Sequence, residues 1–353
     1  MNQNAKRHPW VKFIVSALIV VLTLFLLQCL LVPKYVDGVV EGAFIAEYYE
    51  EENKDFDVIF IGDCEVYENF SPVVLWENYG INSYIRGSAQ QYIWQSYYLL
   101  EDTLNYSTPN VVIFNVLSLK YGEAQSEAYN RMSLEGMRWS SSKVKSILAS
   151  MTSEESFLDY VFPILRYHTR WSELTSADIQ YMFSSEKVTF NGYYMRVDAL
   201  PAENVPTGKP LGDYSFDDNA WKYLDMMAEL CEEKGITLIL IKAPSLYPYW
   251  YDEWDEQVVE YAEEHGLTYI NFLELTDEIG IDYNTDTYDA GLHMNLSGAE
   301  KLADYLGDVL SEEFGLEDRR GDAELDAIWD EVIAAYREEI EAQYELYGID
   351  KTE

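Results

Sequence analysis

Two kinds of apolar pattern alternate along the chain. The first is one long uncharged run, FIVSALIVVLTLFLLQCLLV (13–32), about the length that crosses a bilayer, ended by Pro33 and Lys34. The second is a set of short runs: Val58–Ile61, 82–85, Val111–Phe114, Ile236–Ile241 and 267–271. They are rich in β-branched and aromatic residues, too short for helices, and apolar throughout, as strands covered on both faces are. Between them lie segments with apolar positions at three-to-four spacing, over 92–104, 221–234, 253–265 and 299–314. Strands alternating with helical segments of this length predict βαβ units. The expected fold class is α/β, a three-layer αβα sandwich on a doubly wound, mostly parallel sheet, with one N-terminal transmembrane helix.

Where that rhythm fails, the organisation shows. Residues 1–12 read as a cytoplasmic N-terminus, 13–32 as the span, and 33–56 as a juxtamembrane spacer with a helix from Tyr35 and a solvated acidic face at Glu47–Glu52. The α/β domain is expected over 57–316. Within it 118–214 breaks the repeat, and its loop 200–212 holds three Pro and two Gly, so this stretch reads as an insertion that shapes or covers a site. The tail, 317–353, places Leu325, Ile328, Trp329, Val332, Ile333, Tyr336 and Ile340 on one helical face, for packing on the domain or on a partner.

Charge sharpens this picture. The formal net charge is −39, and residues 1–34 contain Lys6, Arg7, Lys12 and Lys34 but no acid. Positive residues ahead of the span and an acidic segment behind it predict a cytoplasmic N-terminus and an extracytoplasmic main domain. The span exceeds the usual signal-peptide core and no A-x-A-like site follows it. Cys29 follows Gln28, where lipoprotein processing needs a small residue. A surface this acidic repels nucleic acid, so no nucleic-acid partner is expected. Three cysteines (Cys29, Cys64, Cys231) make no disulfide framework and no metal-ligand spacing; no cofactor or metal is expected.

Chemistry concentrates in two stretches. In FDVIFIGDCEVYENFSP (56–72) a buried strand ends at Gly62-Asp63-Cys64, and a helical first turn follows. A nucleophile there stands at the carboxyl edge of the sheet, where α/β folds place ligands, and a helix N-terminus would favour its thiolate. Asp63 and Glu65 oppose that by flanking the thiol with negative charge. The plainer reading of Cys64 is a small buried filler. In DTYDAGLHMNLSGAEK (286–301), His293 lies in a polar loop with Asp289 four residues before it. Cys64, His293 and Asp289 supply nucleophile, base and orienter, with Asp286 as the substitute orienter. The plainer reading here is a structural loop with a capping Asp. His168 and His265 read as packing, surface or helix-cap residues.

The block FIGDCEVYENFSP resembles the first motif of the SGNH, or GDSL-like, hydrolase superfamily, with Cys64 in the place of the motif serine. Gly87 in YIRGSAQQ and Asn115 in VVIFNVLSL fall where that superfamily has its oxyanion-hole glycine and asparagine, and DAGLHMNLSGAEK is similar to its last motif. These blocks span 58–301. The resemblance implies a flavodoxin-like SGNH fold and acyl transfer through a covalent acyl-enzyme. The anchor and outward domain resemble the cell-envelope members, namely D-alanyl-lipoteichoic-acid transfer proteins and alginate O-acetyltransferases. That implies a cell-surface polysaccharide or teichoic-acid-like acceptor and a multi-span membrane protein as acyl donor. Departures are the cysteine and the spacing of Asp289 and His293, one residue longer than D-x-x-H. Transferase and esterase remain equal readings, and a non-catalytic scaffold subunit of an envelope assembly is the alternative.

Overall fold

A computed structural model of the chain describes residues 9–33, 42–183 and 187–349. Lys6, Arg7, Lys34 and the start of the predicted helix at Tyr35 lie outside the described residues. The chain divides into two compact units, Met1–Glu41 with Ser153–Glu186, and Gly42–Thr152 with Lys187–Glu353.

In the larger unit five strands form one sheet: β1 (Val58–Gly62), β2 (Ser83–Gly87), β3 (Val111–Asn115), β4 (Thr237–Lys242) and β5 (Thr268–Asn271). Their order is β2-β1-β3-β4-β5, and every pairing is parallel. The chain leaves β1 for one edge and returns on its other side as β3, so the order reverses between β1 and β3. Connections depart to opposite faces at that point, the place where open α/β sheets bind their ligands. Side chains alternate across the sheet. Ile59, Ile61, Val112, Phe114, Leu238 and Leu240 share one core with Leu100, Leu224, Met227 and Val258 from the helices Ile93–Thr103, Asp218–Lys234 and Asp252–His265. Phe60, between two of those positions, meets Phe70 (ring centroids 5.6 Å), which meets Phe272 (5.4 Å).

Two expectations about the periphery change. Residues 42–50 are part of the α/β unit: Phe44, Ile45, Tyr48 and Tyr49 are buried. Glu47 is no solvated residue. It is buried and accepts hydrogen bonds from the backbone N–H groups of Val188 (2.9 Å) and Thr189 (3.3 Å) and from the Thr189 hydroxyl (2.5 Å). Burial pushes its carboxyl up to about 7 against the pull of those bonds. A charge count cannot foresee this, because Glu47 has its partners about 140 residues along the chain.

The stretch 118–214 is not one body either. Its helices Glu127–Leu134 and Ser141–Ser150 belong to the α/β unit, with Trp94 Nε1 donating to Ser150 Oγ at 3.1 Å; residues 153–186 belong to the other unit. The tail helix Ala323–Tyr347, capped by Asp322, packs on the domain. Trp329 stacks on Trp76 (5.3 Å, 7°) and donates to Asn82 Oδ1 at 3.1 Å. In the smaller unit the apolar run is helical from Pro9 to Leu31, which we call α1.

Candidate active site

At the carboxyl end of β1 the chain turns into one helical turn, Cys64–Tyr67. Asp63 caps it, accepting from Glu65 N–H at 3.2 Å. One turn gives little macrodipole, so the expected help to a thiolate from a helix N-terminus is absent. Gly62 and Gly87 sit side by side in the β1–β2 register, both in crowded surroundings. A Cβ at Gly87 would stand 3.1 Å from Val66 and Tyr67, and one at Gly62 would stand 3.1 Å from Asn115 Cβ. Gly87 therefore lets the turn carrying Cys64 pack onto β2.

Asn115 is placed otherwise than as an oxyanion donor. It is fully buried, and its amide donates to Asp63 Oδ1 (3.1 Å) and Glu65 Oε2 (2.9 Å) while its carbonyl accepts from Ala243 N–H (3.1 Å). An amide nitrogen has two protons, and both are engaged. The strand end aims Asn115 beneath the turn, where two carboxylates take its donors. Glu65 in turn accepts from Lys242 at the end of β4 (3.1 and 2.9 Å), with both side chains sealed from solvent. Lys242 also donates to Ala243 O at 2.6 Å. Burial, then the neighbouring Glu65, pushes the Asp63 carboxyl up to about 6. The sequence marked Glu65 only as a charge flanking the thiol; its pairing with Lys242 is a product of the fold.

The other wall is the loop 286–295, tied across its base by the bridge between Thr287 and Met294. The backbone turns at Ala290 (φ 65°) and Gly291 (φ 98°), folding Asp289 back on His293. Ala290 occupies a region that disfavours residues with a Cβ. Asp289 Oδ1 accepts from the His293 N–H at 2.8 Å, and Oδ2 faces Nδ1 at 2.7 Å. One carboxylate thus fixes both backbone and ring, and the i−4 spacing reaches the imidazole. Asp286 is occupied elsewhere, accepting from Asp282 N–H (2.8 Å), Ser297 Oγ (2.8 Å) and Lys301 Nζ (2.6 Å). Asn69, from the first block, accepts from Met294 N–H at 2.8 Å and joins the two stretches.

Three more residues complete this wall. Glu68 Oε2 lies 3.5 Å from His293 Nδ1 and accepts a hydrogen bond from the Tyr288 hydroxyl. The Tyr288 ring stacks on the imidazole at 6.0 Å, and the Arg196 guanidinium covers Tyr288 at 4.6 Å. Burial pulls the His293 imidazole down, but Cys64, Glu68 and Asp289 together carry it well above its ordinary value. Glu68 is raised by its burial and drawn back by His293 and the Tyr288 hydroxyl. His293 Nε2 has no hydrogen-bond partner of regular geometry among the described residues.

Cys64 and His293 interact directly, each favouring the other's charged form. Cys64 is partly exposed, unlike Cys231. Its surroundings still push the thiol up, through burial first and then Asp63 and Glu68, with His293 opposing. The structure thus brings Cys64, His293 and Asp289 together, leaves Asp286 outside, and puts Asn115 under the floor. Lys120, after β3, adds a cation beside Asp63 and Glu65; burial lowers its own pKa. His168 is exposed and contacts Leu165 O, and His265 stacks on Tyr261. Among the described residues no cluster of His, Cys, Asp and Glu has metal-binding geometry.

Fold and site together define a parallel α/β domain with a thiol, an imidazole and carboxylates gathered at its switch point. No family model matches the sequence, and no curated protein matches it. Among solved structures it is similar to a candidate acylhydrolase from Bacteroides fragilis, with 12% identity, TM-score 0.37 and coverage of 76% of this chain and 94% of that one. It is also similar to a GDSL-like lipase from Bacteroides thetaiotaomicron, with 13% identity, TM-score 0.37 and coverage of 78% and 100%.

Proposed function

We propose that this protein is a membrane-anchored, extracytoplasmic acyl-transfer enzyme of SGNH type, an acyltransferase or esterase acting on a cell-surface glycopolymer. The observation that carries this reading is the meeting of Cys64 and His293, with Asp289 on the imidazole's Nδ1, at the carboxyl edge between β1 and β3. In the proposed mechanism His293 takes the thiol proton as Sγ attacks the acyl carbonyl. The tetrahedral oxyanion is met by the backbone N–H groups of Cys64 and Gly87, since those of Glu65 and Val66 and the Asn115 amide are engaged. The intermediate collapses to a thioester, and the imidazolium returns its proton to the leaving oxygen. An acceptor hydroxyl or water then attacks the thioester with His293 as base. A thioester is more activated than an oxygen ester, and exclusion of water would favour transfer. A teichoic-acid-like or polysaccharide acceptor and a multi-span membrane donor fit an outward domain held by α1.

Incubation of the detergent-solubilised protein with an activated ester, followed by intact mass, tests this. The wild type gains one acyl mass and Cys64→Ala gains none. An adduct on Cys64→Ala removes Cys64 from the mechanism. A wild-type thiol labelled no faster than a free peptide thiol favours the scaffold reading.

A further inference from the structure

In the smaller unit the turns and short helices from 153 to 183 leave large apolar side chains uncovered: Trp171 is 72% exposed and Phe183 84%, and Phe162, Leu165 and Ile179 are about half exposed or more. This many exposed large side chains on so short a segment marks a contact surface. We propose that this face lies in the headgroup boundary of a lipid bilayer, beside the end of α1. The proposal rests on reading α1 as a bilayer span, and it identifies a second membrane contact that a span alone does not require.

The argument comes from how the segment is attached. Arg170 donates through Nη1 to the carbonyl of Leu31, at the end of α1, at 3.0 Å. That carbonyl is one of those a helix leaves unpaired at its C-terminus. The guanidinium is held on its other side by Asp178 at 2.7 Å, and the buried Asp178 carboxylate also accepts from the Thr175 N–H and hydroxyl (2.9 and 3.2 Å). The segment is therefore fixed to the helix end, and its depth follows from the helix.

Residues 10–27 of α1 are exposed all round, whereas Gln28, Cys29 and Leu30 are partly covered and Leu31 is buried. Eighteen residues rise about 27 Å, close to the ~30 Å of a bilayer's hydrocarbon. The protein begins to cover the helix where the hydrocarbon would end, so the apolar face meets lipid at the boundary, where tryptophan is favoured. Glu154, Glu155, Asp159, Glu173 and Asp178 outnumber Arg166 and Arg170 here. Attraction to anionic headgroups thus cannot hold the face; burial of apolar side chains would.

The test uses the full chain in phosphatidylcholine liposomes. In a background with Cys29, Cys64 and Cys231 changed to Ser, the single variants Leu165→Cys, Trp171→Cys, Phe183→Cys and Ile19→Cys carry an environment-sensitive fluorophore. Spin labels high or low on the acyl chain and aqueous iodide serve as quenchers. Sites 165, 171 and 183 should be quenched at least about twofold more by the shallow label than the deep one, as for a depth of about 5–10 Å. They should be shielded from iodide, and adding anionic lipid should not strengthen the effect. Iodide access equal to that of a free dye–cysteine conjugate, with Ile19 still quenched by the deep label, overturns the proposal and keeps the span. Loss of deep quenching at Ile19 overturns the span itself. Shielding that grows with protein-to-lipid ratio assigns the face to a second copy and also overturns the proposal.

Discussion

The floor and the wall of the site handle buried charge in opposite ways. Beneath Cys64, the charge of Glu65 is matched by Lys242, and Asn115 spends both amide protons and its carbonyl on neighbours. Nothing in that trio is left to take a proton from a substrate. Beside Cys64, one imidazole faces two carboxylates, and its Nε2 lacks a regular partner. Proximity to the thiol is thus a poor guide to role. A group is chemically available where its partners leave one atom over, and it is architectural where they leave none.

The sharpest way to break this contrast is Asp289→Asn. It removes the charge that orients Nδ1 and keeps the shape, and it should slow acyl-enzyme formation roughly 10⁴-fold, read by the rate of the mass adduct. Asp286→Asn should leave that rate nearly unchanged; equal losses would mean the wall is merely a folded loop.

Lys242→Met attacks the floor instead. It leaves Glu65 buried without its counter-charge and should cost about 3–5 kcal/mol of stability, measured by thermal unfolding followed in the near-ultraviolet. Removing both charges with Glu65→Gln should recover most of that loss. A single-variant cost below about 1 kcal/mol would show that the pair is solvated in solution.

The smallest effect belongs to Glu68→Gln. The His293 pKa is raised in the fold, so its contribution to stability is full below its unfolded value and fades as pH rises through the folded one. Its use as a base runs the opposite way, increasing as the proton leaves. Loss of one carboxylate lowers the imidazole pKa and should move the rising limb of the rate–pH profile about one unit toward acid. A shift toward alkali would mean that Glu68 does not act on the ring.

Much of the sheet was readable in advance because strands buried on both faces are written as uninterrupted apolar runs. The expected strands at 82–85 and 267–271 appear at Ser83–Gly87 and Thr268–Asn271. Cys64 was legible as a reactive side chain in the polar break that ends such a run, and His293 as one in a polar loop ahead of the last helical segment of the domain. Glu68, Lys242 and Arg196 were not, because an acid or a base in a mostly acidic chain carries no local mark of burial. The hydrogen-bond partners of Asn115 were not legible for the same reason. Its position at the end of β3 was right, but a strand end does not say which of two faces its amide will find occupied.

What the sequence determined by itself was therefore the set of elements and the two stretches that hold reactive groups, since periodicity and turn chemistry act over a few residues. The tertiary structure alone decided which acid meets the imidazole, which asparagine is engaged, and that Glu47 is buried. Those outcomes depend on groups tens to hundreds of residues apart meeting where water is excluded. There a charge is stable only beside its partner, and no local pattern encodes which partner that will be.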